Sequence, residues 1–178
     1  MGWQNSDRYV NPLEWAAKMK DVPREAINAF AFSVFNRVVV KTPVDTGQAR
    51  SNWLVSINED DDRKLGADVK YKKIKRSKGK NTGKVEIKRS VKLERSATKT
   101  KEQGRMAIAF AQGDDKIIIQ NNLPYIRKLE YGGFTDKPET EKTIGGFSKQ
   151  APQGMVGLTL TNADRLWERA VKAVAGNT

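Results

Sequence analysis

An α+β fold is predicted for this chain: an antiparallel β-sheet packed against a long N-terminal helix and a C-terminal helix, with a protruding basic β-hairpin or loop. Three observations predict it. Apolar residues recur at helical spacing near both ends, as in Ile27, Phe30, Val34 and Val38 and again in Leu166, Ala170 and Val174. Between them, several short runs alternate apolar with polar residues, the period of a strand with one buried face. Charge is also concentrated: residues 63–105 hold 17 Lys/Arg against 4 Asp/Glu, whereas residues 1–62 hold 7 against 9 and residues 106–178 hold 9 against 8. The net charge of +12 therefore belongs to one segment on a nearly neutral body.

The elements follow in order. Asn11-Pro12-Leu13-Glu14 reads as a helix start running to about Met19, with Asn as N-cap and Pro at the first helical position. Asp21-Val22-Pro23 restarts the helix, which carries the Ile27 stripe, widened by Ala31 and Phe35, to near Lys41. A strand is expected over about residues 50–58, where Trp53, Val55 and Ile57 alternate with Leu54 and Ser56. Asn58-Glu59-Asp60-Asp61-Asp62 ends it as a solvated loop, since these acids lack the Gly and terminal Glu of an EF-hand. In the basic segment, Val69 with Tyr71, and Val85, Ile87, Val91 and Leu93, alternate with polar residues on either side of the turn-rich stretch 77–83. An extended hairpin is the expectation, and a disordered basic loop that orders on a partner is the alternative.

Met106–Ala111, apolar on both faces, and Lys116–Gln120 are expected to pair as a central hairpin across the turn Gln112-Gly113-Asp114-Asp115. Pro124 opens a short helix to about Tyr131, closed by Gly132-Gly133. Residues 134–152 read as a loop, and Val156, Leu158 and Leu160 as a last strand. Thr161-Asn162-Ala163-Asp164 resembles a capping box for the final helix.

Composition sets the limits of function. At 178 residues the chain fits a single domain, 1–178, with 63–105 as a basic insertion arm. It has no run of 18 or more apolar residues and no signal-peptide pattern at its start, so neither a membrane span nor export is expected. With no Cys and no His, the chain has no disulfides, thiol nucleophiles, Cys/His zinc sites or imidazole catalysis. No phosphate-binding glycine loop is present, and Asp114, Asp115 and Glu130 make a weak metal site because no spacing supplies a third ligand beside the hairpin turn. No enzyme, cofactor or metal is expected.

Two features carry the functional reading. The first is the corner Thr42–Trp53. Pro43 stops the helix and extends Thr42, Asp45 is suited to bond a backbone N–H two residues on, and Gly47 supplies positive φ. Arg50 is expected to lock the corner or meet a neighbour, and Trp53 to anchor the strand in the core. The second is the arm, whose cations Lys72, Lys73, Lys75, Arg76, Lys78, Lys80, Lys84, Lys88 and Arg89 exceed what solubility requires and suit a polyanion. With Tyr71 as the lone aromatic of the segment, single-strand stacking is a poor match; contact with double-stranded DNA or an acidic protein surface is expected instead.

Pro43-Val44-Asp45-Thr46-Gly47 followed by Arg50 and Trp53 resembles the signature of the neck and tail-completion (head–tail joining) proteins of long-tailed bacteriophages. The resemblance extends to Leu123-Pro124-Tyr125, to Leu129-Glu130-Tyr131-Gly132-Gly133 and to Gln150–Val156, in matching order over about half the chain, and leaves residues 63–105 uncovered. It implies a structural virion protein at the neck, assembled in the host cytoplasm as a homo-oligomeric ring of about six copies. It also implies contacts with head-closure or stopper proteins and with tail terminator or tail tube proteins around double-stranded DNA. Pro43, Asp45, Thr46, Gly47, Arg50, Trp53, Tyr125, Glu130, Tyr131 and Gly132 are then the structural or interface motif. A stand-alone basic nucleic-acid-binding protein, of ribosomal or nucleoid-associated type, is the alternative.

Overall fold

A computed structural model describes residues 23–75, 85–93, 95–136 and 138–176, with the backbone alone for 68, 69, 71–75 and 85–91. The helix expected over 11–19 and the turn 77–83, with Arg76, Lys78, Lys80 and Lys84, lie outside the described residues. The architecture is mixed helix and antiparallel strand. It contains α1 (Arg24–Lys41), α2 (Gln48–Ser51), β1 (Trp53–Ile57), β2 (Ala67–Lys75), β3 (Val85–Leu93), α3 (Ala97–Phe110), β4 (Ile117–Asn121), α4 (Ile126–Tyr131), β5 (Thr143–Ile144), β6 (Phe147–Ser148), α5 (Val156–Leu160) and α6 (Ala163–Ala175).

The long first helix is the hub. Pro23 precedes it with φ already fixed, and Pro43 ends it by holding Thr42 extended at φ −66°, ψ 128°. Its innermost line is Ala26, Ala31, Phe35, Val38 and Val39; Ile27, Phe30 and Val34 flank that line and are half-buried. The apolar surface is wide because α3 packs on one side of α1 and α6 on another. Phe30 meets Trp167 of α6 edge-on, ring centroids 5.4 Å apart and planes at 89°. The core joins Phe35, Val38 and Val39 to Trp53, Ile108 and Met155.

β1 pairs antiparallel with β4, from Trp53 opposite Asn121 to Ile57 opposite Ile117. Trp53 and Leu54 are consecutive, so they project to opposite faces, and both are buried; this end of the ladder is covered on both sides. β2 and β3 form a separate nine-residue ribbon, from Ala67 opposite Leu93 to Lys75 opposite Val85. The extended hairpin expected for the basic segment is present.

Several expectations are corrected. Met106–Phe110 is the last turn and a half of α3, with Ala111 as its C-cap, and β1, not this segment, pairs with β4. The alternation of Met106, Ile108 and Phe110 imitates a strand, but Ala107, Ala109 and Ala111 favour a helix, and Ser96 caps it by accepting a bond from Lys99 N at 3.2 Å. Thr100, Gly104 and Ile108, four residues apart, then turn one buried line inward. The basic arm is correspondingly shorter than 63–105, because residues 97–105 belong to a helix packed on α1 and β1.

The strand expected at 50–58 begins only at Trp53, after the single helical turn α2. Val156, Leu158 and Leu160 belong to helix α5, not to a strand. Thr161 forms no capping box: its hydroxyl donates to Leu158 O, as does Asn162 Nδ2, so both residues serve the end of α5. The loop 134–152 contains the small hairpin β5–β6.

Candidate functional site

The corner is held from both directions. Thr42 Oγ1 donates to Val38 O at 2.7 Å and accepts from Trp53 Nε1 at 2.7 Å, so one buried hydroxyl links the end of α1 to the start of β1. Arg50 Nη2 donates to Val40 O at 3.0 Å and Thr42 O at 2.8 Å, capping the carbonyls that α1 leaves unpaired. Of its two expected roles, the guanidinium takes the locking one. The bond two residues on that Asp45 was expected to provide is made by Thr46, whose Oγ1 accepts from Gln48 N at 3.1 Å. Asp45 instead reaches Lys142 Nζ at 2.9 Å on the surface, where such a pair contributes little. Gly47 has φ +88°, and a Cβ there would stand 3.1 Å from Leu93 Cδ1 at the foot of the ribbon.

Both feet of the ribbon are clamped to this corner. On the inbound side Asn52, 1% exposed, receives Leu65 N on Oδ1 at 2.7 Å and donates from Nδ2 to Leu65 O at 3.0 Å and Gln48 O at 2.9 Å. On the outbound side Arg95 donates to Ser51 O from Nε at 3.1 Å and Nη2 at 2.7 Å, to Trp53 O at 2.7 Å and to Gln103 Oε1 at 2.7 Å. Thr100 Oγ1 adds a buried bond to Ser51 O at 3.0 Å. Asn122 Nδ2 donates to Arg63 O at 3.1 Å, tying the inbound stretch to the end of β4 as well. The Arg63 guanidinium beside Asp61 holds that carboxyl below its ordinary range.

Distant segments converge on the same corner. Gln150 pairs its side-chain amide with the Val44 backbone, accepting from Val44 N at 2.8 Å and donating to Val44 O at 3.1 Å. Tyr125 OH lies 3.5 Å from Gln48 Oε1; burial first, and then the negative charge of Asp45, raise its pKa above the usual 10.0. Glu130 reaches the start of α5 and accepts from Met155 N and Val156 N at 2.8 Å and from Gly157 N at 2.7 Å. Three backbone donors on one carboxylate start that helix in place of a local cap. Gly132, at φ +77°, leaves no room for a Cβ, which would stand 2.9 Å from the Phe147 ring. Tyr131 is 72% exposed and stands apart from the converging side chains.

The ribbon's cations are arranged by its register. Lys72 is registered opposite Lys88, Lys70 opposite Ser90, Arg89 opposite Tyr71, Lys73 opposite Ile87 and Lys75 opposite Val85. Between α3 and β1 a cavity of about 220 Å³ is lined by Trp53, Arg63, Arg95, Gln103, Gly104 and Ala107 among others, without a carboxylate pair or nucleophile. Among the described residues no three acidic side chains gather as a metal site. No helix among them is long and apolar enough to cross a membrane.

Sequence reasoning missed Asn52, Arg95 and Lys142. Their partners lie 13, 44 and 97 residues away, so no local spacing marks them. Comparison with family models, with curated proteins and with solved structures gives no match.

Proposed function

We propose that the chain is a structural virion protein of a tailed phage, a ring-forming neck or tail-completion subunit that joins the capsid connector to the tail and surrounds the DNA channel. The observation that carries this reading is the convergence at the corner. Blocks resembling the neck family's, spread from Pro43 to Val156, are tied together: Val44 bonds Gln150 and Gln48 meets Tyr125 at the corner, and Glu130 bonds the 155–157 backbone. Residues from distant segments gathered in this way by hydrogen bonds serve architecture. In this role the body packs against copies of itself and against stopper, terminator or tail tube proteins, and the clamped ribbon extends toward polyanion. A ribbon strand of nine residues spans roughly 30 Å, enough to project well beyond its foot.

One observation favours a second reading, a stand-alone nucleic-acid-binding protein: a two-stranded antiparallel ribbon in a strongly basic segment, with Lys72 registered opposite Lys88, suits the major groove of a duplex. Co-sedimentation with purified capsids and tail tubes separates the two. The neck reading expects binding to at least one of these particles, and expects replacement of Lys72, Lys73, Lys75 and Arg76 by Gln to leave the fold intact while impairing assembly or DNA retention. A chain that ignores both particles and binds duplex by itself at moderate salt contradicts the neck reading.

A further inference from the structure

Two guanidiniums from opposite feet of the ribbon line one cavity. It holds about 220 Å³, with Trp53 of β1 and Gly104 and Ala107 of α3 in its walls, and its polar side chains are Arg63, Arg95 and Gln103. Arg63 precedes β2 and Arg95 follows β3, so the chain leaves for the ribbon and returns from it past the same opening. Sites that enclose a whole small molecule measure about 300–1,000 Å³, so this cavity matches a single chemical group.

The polar side chains here are donors. A guanidinium carries only N–H groups. Gln103 has an acceptor, but its Oε1 takes the bond from Arg95 Nη1 at 2.7 Å, which leaves Nε2 as the group it offers. Arg95 is also fixed in advance, since Nε and Nη2 donate to Ser51 O at 3.1 and 2.7 Å and Nη2 donates to Trp53 O at 2.7 Å. A ligand therefore has no need to order that side chain. Both positive charges act on one place. The Asp61 carboxyl is held below its ordinary range first by its hydrogen bond from Arg63, and also by the charges of Arg63 and Arg95. The rim of the cavity already stabilises one anion.

We propose that this cavity is a phosphate-binding site, holding one phosphate group among Arg63, Arg95 and Gln103 Nε2. Planar guanidiniums pair with phosphate through parallel N–H···O bonds, and a phosphate has enough acceptor oxygens for all three side chains. Its place in the chain selects phosphate over carboxylate. The cavity lies at the root of the segment with 17 Lys/Arg against 4 Asp/Glu, a charge suited to a polymer of phosphates, one of which seats here while its neighbours run beside the ribbon. Such a contact sets where a nucleic-acid backbone meets the body and reads no sequence. In that use the inference rests on the polyanion contact of the preceding subsection; free phosphate presents the same chemistry.

Thermal unfolding in inorganic phosphate, against acetate at equal ionic strength, reads the site, because a ligand that binds the folded chain raises its melting temperature. Arg63→Gln removes an exposed charge, Ala107→Met fills the cavity without changing charge, and Lys99→Gln alters an exposed lysine of α3 outside the cavity as the charge control. The parent is expected to gain more in phosphate than in acetate, Lys99→Gln to keep that excess, and Arg63→Gln and Ala107→Met to lose it. Asp61→Asn removes the internal competitor for Arg63 and is expected to tighten phosphate binding about two- to fivefold. With a short DNA duplex, Arg63→Gln is expected to weaken binding about tenfold and to lower the salt slope by about one. Loss of the phosphate response with duplex binding unchanged assigns the site to free phosphate, and loss of both assigns it to a backbone phosphate. Should Ala107→Met fail to fold, Arg63→Gln against Lys99→Gln decides. Equal phosphate responses in the parent, Arg63→Gln and Ala107→Met, equal losses in Arg63→Gln and Lys99→Gln, or an acetate response as large as that to phosphate overturns the proposal, the last in favour of an acidic protein group. A parent that binds phosphate here but co-sediments with neither capsid nor tail tube leaves the site standing and rejects the neck reading.

Discussion

Replacing Asn52 with Ala tests whether the corner holds the ribbon. The side chain is almost fully buried and makes three hydrogen bonds: to Leu65 N, Leu65 O and Gln48 O, at 2.7, 3.0 and 2.9 Å. Each is a net gain of about 1 kcal/mol, and truncation leaves Leu65 with a donor and an acceptor to satisfy, so the loss is about 3 kcal/mol. In a chain of 178 residues, that corresponds to a fall in melting temperature of roughly 10 °C. Scanning calorimetry reads the fall, and hydrogen exchange should show the Leu65 amide losing protection. Asn52→Asp is a sharper control: it keeps an acceptor for Leu65 N but turns a carboxylate toward two carbonyls, so it should destabilise at least as much. A melting temperature within about 2 °C of the parent, with Leu65 protection unchanged, would refute the clamp.

Other substitutions read other joints. Gly104→Ala should destabilise by about 1–2 kcal/mol although it is helical: the added Cβ would stand 2.1 Å from Cε1 of fully buried Phe35, and overpacking outweighs the propensity gain of about 1 kcal/mol. A higher denaturation midpoint in urea would contradict that packing. Glu130→Gln replaces an anion bonded to three N–H groups and should cost about 2 kcal/mol, read in the same urea transition; a change below about 0.5 kcal/mol would remove Glu130 as the start of α5. Tyr125 should ionise above the ordinary tyrosine value in an absorbance titration, and Asp45→Asn should move it down without restoring that value, because burial is the larger cause. Since folding raises this pKa, its contribution to stability is complete below pH 10 and is lost as pH rises through the folded value. A Tyr125 phenol that titrates at the ordinary value, isolated as the difference from a Tyr125→Phe variant, would contradict it.

The legible parts of the fold were those written in local chemistry. Pro23 and Pro43 bracket α1, Gly132 ends α4, and the alternation on either side of residues 77–83 marks the ribbon. The misread parts were decided at a distance. Val156–Leu160 has a strand's alternation, but a carboxylate from Glu130 starts a helix there. Met106–Ala111 is ambiguous over six residues, and only its continuity with Ser96–Arg105 and the small Gly104 against Phe35 resolve it as helix. The corner was visible through Pro43, Gly47 and Trp53. Its task as the socket of the ribbon was not, because Asn52 and Arg95 find their partners only in the folded chain.

The absolute mass of the intact chain, by size-exclusion chromatography with light scattering over a range of salt, tests the central claim most directly. The account predicts a single closed oligomer in place of a monomer. A monomer at every salt concentration, binding duplex unaided, would contradict it.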